Sequence, residues 1–316
     1  MKALLRIITI AVAIVAGTAT MYSQEELLAP SGTFMFAERD TCQLFFDLYK
    51  AAPGSSTDIA GKEKPTVLFA FGGGFVGGSR NSKSYNRWFR MLTENGYNVV
   101  SIDYRLGLKD VQNPGVNMKF VRQLQHAIDI AVEDLFSATD YIIHNQEILG
   151  IDASNLVISG SSAGAITVMQ GEWELCNRTE KALILPEDFQ YAGVMSFAGA
   201  ILSFHGKPSY DREPCPTLML HGTADHVVPY KQIALFKLHF AGTKVLTEIF
   251  RKNGYNYNTL RYLDNGHEIA SSMAWNFNEE IRFLESNVIN GGKRIVDALA
   301  DDPAIKKSSG SFKDLY

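Results

Sequence analysis

The chain has 316 residues, of which 46% are hydrophobic and 20% charged, with a formal net charge of -4. That length supports a large core, and single α/β domains often exceed ~250 residues, so one domain is expected rather than two. A charge this mild, without a long run of either sign, suits a soluble protein and offers nothing to nucleic acid.

Residues 1–24 read as a secretory signal peptide. The Met1 amino group, Lys2 and Arg6 make a positive start. Ile7 to Ala16 is then apolar except for Thr9, and small residues follow from Gly17 to Thr20. The apolar run is about half of the ~20 residues that a spanning helix needs. Cleavage is expected after Ala19 or near Gln24, leaving no membrane span and a secreted or periplasmic protein. Three cysteines, Cys42, Cys176 and Cys215, form no framework and no C-x-x-C pair, so free thiols are expected rather than a metal or redox site.

Thr33 to Glu38 and Cys42 to Tyr49 predict an opening antiparallel hairpin. After a polar loop, Pro65 to Phe71 is a nearly continuous apolar run, the mark of a strand buried on both faces, and it ends in a glycine-rich turn, Gly72 to Gly78. Tyr85 to Asn95 predicts a helix that stops at Gly96, Asn98 to Tyr104 a strand, and Phe120 to His144 a long helix with Leu124, Ile128, Ala131 and Leu135 on one stripe. Leu156 to Ile158 precedes Gly160-Ser161-Ser162-Ala163-Gly164 and a helix over Ala163 to Glu174. Ala192 to Phe197, Thr217 to Leu220 and Thr259 to Leu263 predict strands; Tyr230 to Phe240 and Ser272 to Leu284 predict helices. This alternation implies a mostly parallel sheet covered on both faces, with the domain over 25–290 and a polar C-terminal tail over 291–316.

In such sheets chemistry gathers at the carboxyl ends of the strands. Gly160 to Gly164 is a G-x-S-x-G stretch between strand and helix, which would project the Ser162 hydroxyl above the sheet. The glycine turn after the Pro65 strand lets backbone N–H groups approach a developing oxyanion, so Gly73 and Gly74 are assigned as donors, with Ala163 N–H as a third. It lacks the Lys-Ser/Thr ending of a phosphate loop. Asp225, in the turn after a late strand, fits a carboxylate that orients a histidine. Of seven histidines, only His267 lies on a loop after the last predicted strand, where it can act as base and then acid. His221 and His226 flank the Asp225 turn and are read as shaping it, and His239 as structural on the following helix.

The order Ser162, Asp225, His267 is that of one fold, and from roughly Thr33 to Ser286 the chain resembles an α/β-hydrolase. Phe71 to Phe75 resembles the His-Gly-Gly-Gly loop of carboxylesterases similar to hormone-sensitive lipase, as does Ser101 to Arg105 the strand end that follows it. Asp103 and Arg105 are read as structural. His221 to Tyr230 is closer to secreted bacterial feruloyl and acetyl esterases and to the hydrolase domain of prolyl oligopeptidases. Phe71 departs from the motif, which has His there; the backbone donors remain, but a side chain that helps hold the loop is lost. The resemblance implies a serine carboxylesterase needing no metal or organic cofactor and taking a small-molecule or polysaccharide-linked ester. Two alternatives stand beside it: a serine peptidase or amidase, and a binding protein on an inactive hydrolase scaffold. Leu106 to Lys119, Trp173 and the loop Ser203 to Tyr210 are expected to line the pocket.

Overall fold

A computed structural model describes residues 27–40, 42–57, 61–111, 117–305 and 307. The signal peptide expected over 1–24 and residues 308–316 of the expected tail lie outside the described residues. No helix among the described residues is long and apolar enough to cross a membrane.

Strands β1 (Gly32–Arg39) and β2 (Cys42–Tyr49) form the expected antiparallel hairpin, and β1 alternates exposed and covered residues as an edge strand should. β3 (Thr66–Ala70) is buried at every residue, which the run of Val67, Leu68 and Phe69 demands. Helix α1 (Lys83–Glu94) buries Tyr85, Trp88, Phe89 and Leu92, a stripe with helical spacing, and Ser82 caps its start. β4 (Val99–Ile102) follows, then the long helix α2 (Met118–Leu149), capped by Asn117 and ended by Gly150 in the left-handed conformation. β5 (Leu156–Ser161) leads into α3 (Ala163–Cys176), a helix buried on almost every side because it packs against α2, the sheet and a further strand.

β6 (Gly193–Phe197), β7 (Ala200–Ser203) and β8 (Thr217–Gly222) come next, all buried. The sequence predicts a helix over Tyr230 to Phe240; the structure has a hairpin there, β9 (Gln232–Leu235) and β10 (Leu238–Gly242). The turn at Phe236 takes a positive φ of 53°. β10 pairs antiparallel with β7, placing Phe240 opposite Leu202, and these ladder bonds outweigh the local helical pattern. His239 is therefore on a strand, and the helix begins only at α4 (Thr243–Asn253). β11 (Tyr257–Tyr262) and α5 (Met273–Phe283) follow the prediction closely.

A second correction concerns the C-terminus. β12 (Val296–Ala300) pairs parallel with β11 from Asn258 to Tyr262, so the domain continues past residue 290, where a tail was expected. Its alternation of half-buried and exposed residues is the weak signal of an edge strand.

Among the described residues nine strands make the main sheet, in the order β1-β2-β4-β3-β5-β6-β8-β11-β12, and three make a small sheet, β7-β10-β9. β1, β2 and β4 run antiparallel in turn; from β4 to β12 every pairing is parallel. The carboxyl ends of β3, β5, β8 and β11 thus open on one edge, and the segments that leave them carry the residues described next.

Candidate active site

Ser162 stands where β5 gives way to α3, with φ 51° and ψ -115°, a backbone state that non-glycine residues rarely occupy. The turn is tight enough that a Cβ added at Gly164 would lie 2.0 Å from Ala70 O, so only glycine fits there. Ser162 N–H donates to Phe197 O at 2.9 Å, fixing the turn to the neighbouring strand β6. The hydroxyl therefore sits at the amino end of a 14-residue helix, a position that favours negative charge.

His267 opens a short 3₁₀ turn, His267–Ser271, after β11. Its Nε2 lies 2.7 Å from Ser162 Oγ, and its Nδ1 lies 2.7 Å from Asp225 Oδ2. Asp225 sits in the turn after β8, where its Oδ1 accepts from Val227 N–H at 2.8 Å and Val228 N–H at 3.0 Å. All three side chains are buried. A carboxylate only accepts, so Nδ1 carries the hydrogen in this contact and Nε2 presents its lone pair to the serine.

Burial pushes the Asp225 carboxyl up, but hydrogen bonds from His221 and His267 outweigh it and hold the group well below the usual carboxylate range. The loops bearing Asp225 and His267 are also tied to each other directly. Ala224 N–H donates to Asn265 O at 2.9 Å, and Asp264 N–H donates to Thr223 Oγ1 at 2.9 Å.

The glycine turn lies against this group because β3 and β5 pair in parallel with Ala70 opposite Gly160, so the segments leaving them emerge side by side. Gly73 and Gly74 have φ of 143° and 62°, and Gly73 O accepts from Val76 N–H at 3.0 Å and Gly77 N–H at 3.1 Å. A Cβ on Gly73 would lie 2.1 Å from Gly77 O, so the turn needs glycine there. In a trans peptide the N–H points opposite to the carbonyl before it, so Gly74 N–H faces away from the turn that Gly73 O closes. Ala163 N–H is at the first position of α3, where no intrahelical acceptor exists.

The structure brings Ser162, Asp225 and His267 into one hydrogen-bonded series, and sets Gly73, Gly74 and Ala163 on the segments beside it. Leu108 N–H donates to Phe75 O at 3.0 Å, which fastens the segment from Leu106 to the glycine turn, while 112–116 lie outside the described residues. Trp173 donates its indole N–H to Ser209 O at 2.8 Å, joining α3 to the loop after β7. Asp103 and Arg105 hold the scaffold, as expected: Asp103 pairs with Arg80 at 2.5 Å, and Arg105 with Asp134 at 2.9 Å. The cysteines are free, with the Cys176 thiol donating to Glu172 Oε1 at 3.3 Å.

Sequence reasoning did not single out Tyr85, Tyr104 or Ser161. Ser161 Oγ donates to Ala270 O at 2.7 Å, and the two tyrosines bond to the backbone of Phe71 and Gly72. A tyrosine just after a strand carries no pattern that would distinguish such a role. His221 had a usable signal, its place four residues before Asp225.

Residues 55–201 match the BD-FAE family. A non-reducing polyketide synthase, ausA, of Emericella nidulans is 30% identical over 178 residues, which is 56% of this chain; the chain spans 6% of that relative's length. Solved structures of esterase 2 from Thermogutta terrifontis superpose along most of the chain. The apo form has a TM-score of 0.55 at 20% identity, covering 82% of this chain and 97% of that one. The propionate-bound form has a TM-score of 0.54 at 20% identity, covering 80% and 94%. The form phosphonylated by sarin has a TM-score of 0.55 at 18% identity, covering 82% and 97%. At such identity the likeness is one of backbone path, and the path it shows for this chain is the α/β-hydrolase fold.

Proposed function

We propose that the protein is a serine carboxylesterase that hydrolyses carboxylic esters through an acyl-enzyme intermediate. The observation that carries this reading is the continuous series from Ser162 Oγ to His267 Nε2 and from His267 Nδ1 to Asp225 Oδ2, with both contacts at 2.7 Å. The match to the BD-FAE family and the esterase neighbours support the same reaction class.

In this mechanism His267 takes the Ser162 proton as the oxygen attacks the ester carbonyl. Asp225, held ionised by its hydrogen bonds, keeps His267 in the tautomer that can accept that proton and stabilises the imidazolium. Gly73, Gly74 and Ala163 N–H groups meet the oxyanion, His267 returns the proton to the leaving alcohol, and water releases the acid. The substrates we propose are acetyl, feruloyl or other short-chain esters, free or attached to plant polysaccharide. With the leader expected over 1–24, we place the mature protein in the periplasm or outside the cell.

The test is hydrolysis of a short-chain nitrophenyl ester by the mature protein beside Ser162→Ala. Activity that vanishes in the variant supports the reading; equal activity in both removes Ser162 as nucleophile and ends it.

A further inference from the structure

Both polar atoms of one peptide unit, Phe71–Gly72, are held by tyrosine hydroxyls. Tyr104 Oη donates to Phe71 O at 2.7 Å, and Gly72 N–H donates to Tyr85 Oη at 2.9 Å. The rings are themselves fixed. Tyr104 stacks on Phe71 with centroids 4.4 Å apart at 25°, and Tyr85 meets Phe69 edge-on at 4.7 Å. Tyr104 follows β4 and Tyr85 lies in the first turn of α1, so two separate elements converge on this single unit.

The unit occupies the joint between the two halves of the site. An atom at the Cβ position of Gly72 would lie 2.9 Å from Ser161 Oγ and 3.4 Å from Ser162 Cβ. Three consecutive glycines follow Phe71, and glycine populates positive and negative φ with similar ease, so without restraint these peptide planes would rotate freely. An oxyanion donor is useful only if its direction is set before charge develops. Behind the turn, Gly73 O is already fixed by Val76 and Gly77 N–H. In front, the tyrosines fix the Phe71–Gly72 plane, so the Gly72–Gly73 unit lies between two anchored planes and the Gly73 N–H direction is determined.

We propose that Tyr104 and Tyr85 are positioning residues for the oxyanion donors, acting through the Phe71–Gly72 peptide. The side chain of Phe71, which stands where the resembled motif has His, supplies only a ring to this clamp, stacked on Tyr104. The proposal rests on the reading of Gly73 and Gly74 as oxyanion donors.

The experiment compares wild type, Tyr104→Phe and Tyr85→Phe on a nitrophenyl ester and on the matching thionoester, with thermal unfolding of each protein. Phenylalanine keeps both ring contacts and removes only the hydroxyl. A sulfur anion is a larger and poorer acceptor, so a well-aligned donor set favours the oxygen ester, and a misaligned set loses that preference. The expected result is kcat on the oxygen ester lowered about tenfold in each variant, short of the ~10²–10³ for deleting a donor outright, with KM within about twofold. The ester-to-thionoester rate ratio should narrow as well. If both substrates slow by one factor, or neither slows, the tyrosines act only in packing and the proposal is overturned. Either variant suffices should the other fail to fold. A wild type inert on the oxygen ester would overturn the esterase reading and this proposal together; an active wild type with unaltered variants would overturn this proposal alone.

Discussion

His221 Nε2 lies 3.3 Å from Asp225 Oδ2, the same oxygen that His267 Nδ1 reaches at 2.7 Å, so one carboxylate oxygen serves two histidines. His221 is buried, and its Nε2 also lies 3.2 Å from Val228 O. A carbonyl only accepts, so Nε2 carries the hydrogen, leaving Nδ1 to accept from the Thr243 hydroxyl at 2.9 Å. His221 thereby links the turn that bears Asp225 to the start of α4.

Replacing His221 by Leu removes these contacts and leaves Val228 O and Thr243 Oγ1 buried without their partner. A destabilisation of about 1–3 kcal/mol is expected from such orphaned groups. Turnover should fall too, because Asp225 loses a donor that fixes its orientation. Urea unfolding and kcat on a nitrophenyl ester check both, and a variant matching wild type in each would show that His221 only fills space.

Asp225→Asn tests the same carboxylate from the other side. The amide keeps the shape but presents a donor or a weaker acceptor to His267 Nδ1, so the tautomer is no longer fixed. A loss in kcat of up to ~10⁴-fold is expected, as in other triads. Stability should respond to pH with a definite sign. A carboxyl held below its unfolded value stabilises the fold above about pH 3.9, and that contribution is lost as pH falls below it. The stability advantage of wild type over Asp225→Asn should therefore shrink on acidification below about pH 4; an advantage that grew there would contradict the assignment.

Ser161 makes a third link. Its hydroxyl reaches Ala270 O at 2.7 Å and so ties the end of β5 to the 3₁₀ turn that begins at His267, across 109 residues of sequence. Ser161→Ala leaves a buried carbonyl without its donor, at about 1 kcal/mol. It also frees the His267 turn to move relative to Ser162. The expected kinetic signature is a lower kcat at nearly constant KM; a KM effect alone would place Ser161 in substrate binding instead.

The central strands were legible because β3, β5, β6 and β8 are buried on both faces and must be written as apolar runs. The three triad candidates were legible because each follows a predicted strand, Ser162 and Asp225 after the fully buried β5 and β8 and His267 after the partly buried β11, in an order peculiar to one fold. The β9–β10 hairpin was not, because Gln232 to Leu235 is exposed on both faces and has no burial pattern to declare a strand; its identity comes from the pairing of β10 with β7. β12 was missed for a similar reason, its five residues being only half-covered at the sheet edge. The tyrosine clamp shows a different limit. Tyr104 bonds to a backbone carbonyl 33 residues away, and a side chain that serves a distant main-chain atom leaves no periodicity.

Glu280 supplies a last prediction, away from the triad. It is fully buried on α5, where Trp88 Nε1 of α1 donates to its Oε2 at 2.6 Å while Oε1 has no hydrogen-bond partner. Burial pushes its carboxyl well above the ordinary value, against the lowering effect of the Trp88 bond. The folded protein therefore keeps the proton to a higher pH than the unfolded chain, which releases it near pH ~4.3. The fold is unpenalised below that pH and loses up to ~1.4 kcal/mol per pH unit above it, until the folded carboxyl itself ionises. Glu280→Gln keeps an acceptor for Trp88 and has nothing to titrate. Relative to wild type, the variant should gain stability as pH rises above about 4.3, through the range in which only the unfolded chain has released the proton, read as a widening gap between urea midpoints. Parallel curves across that range would mean that Glu280 ionises alike in the folded and unfolded chains.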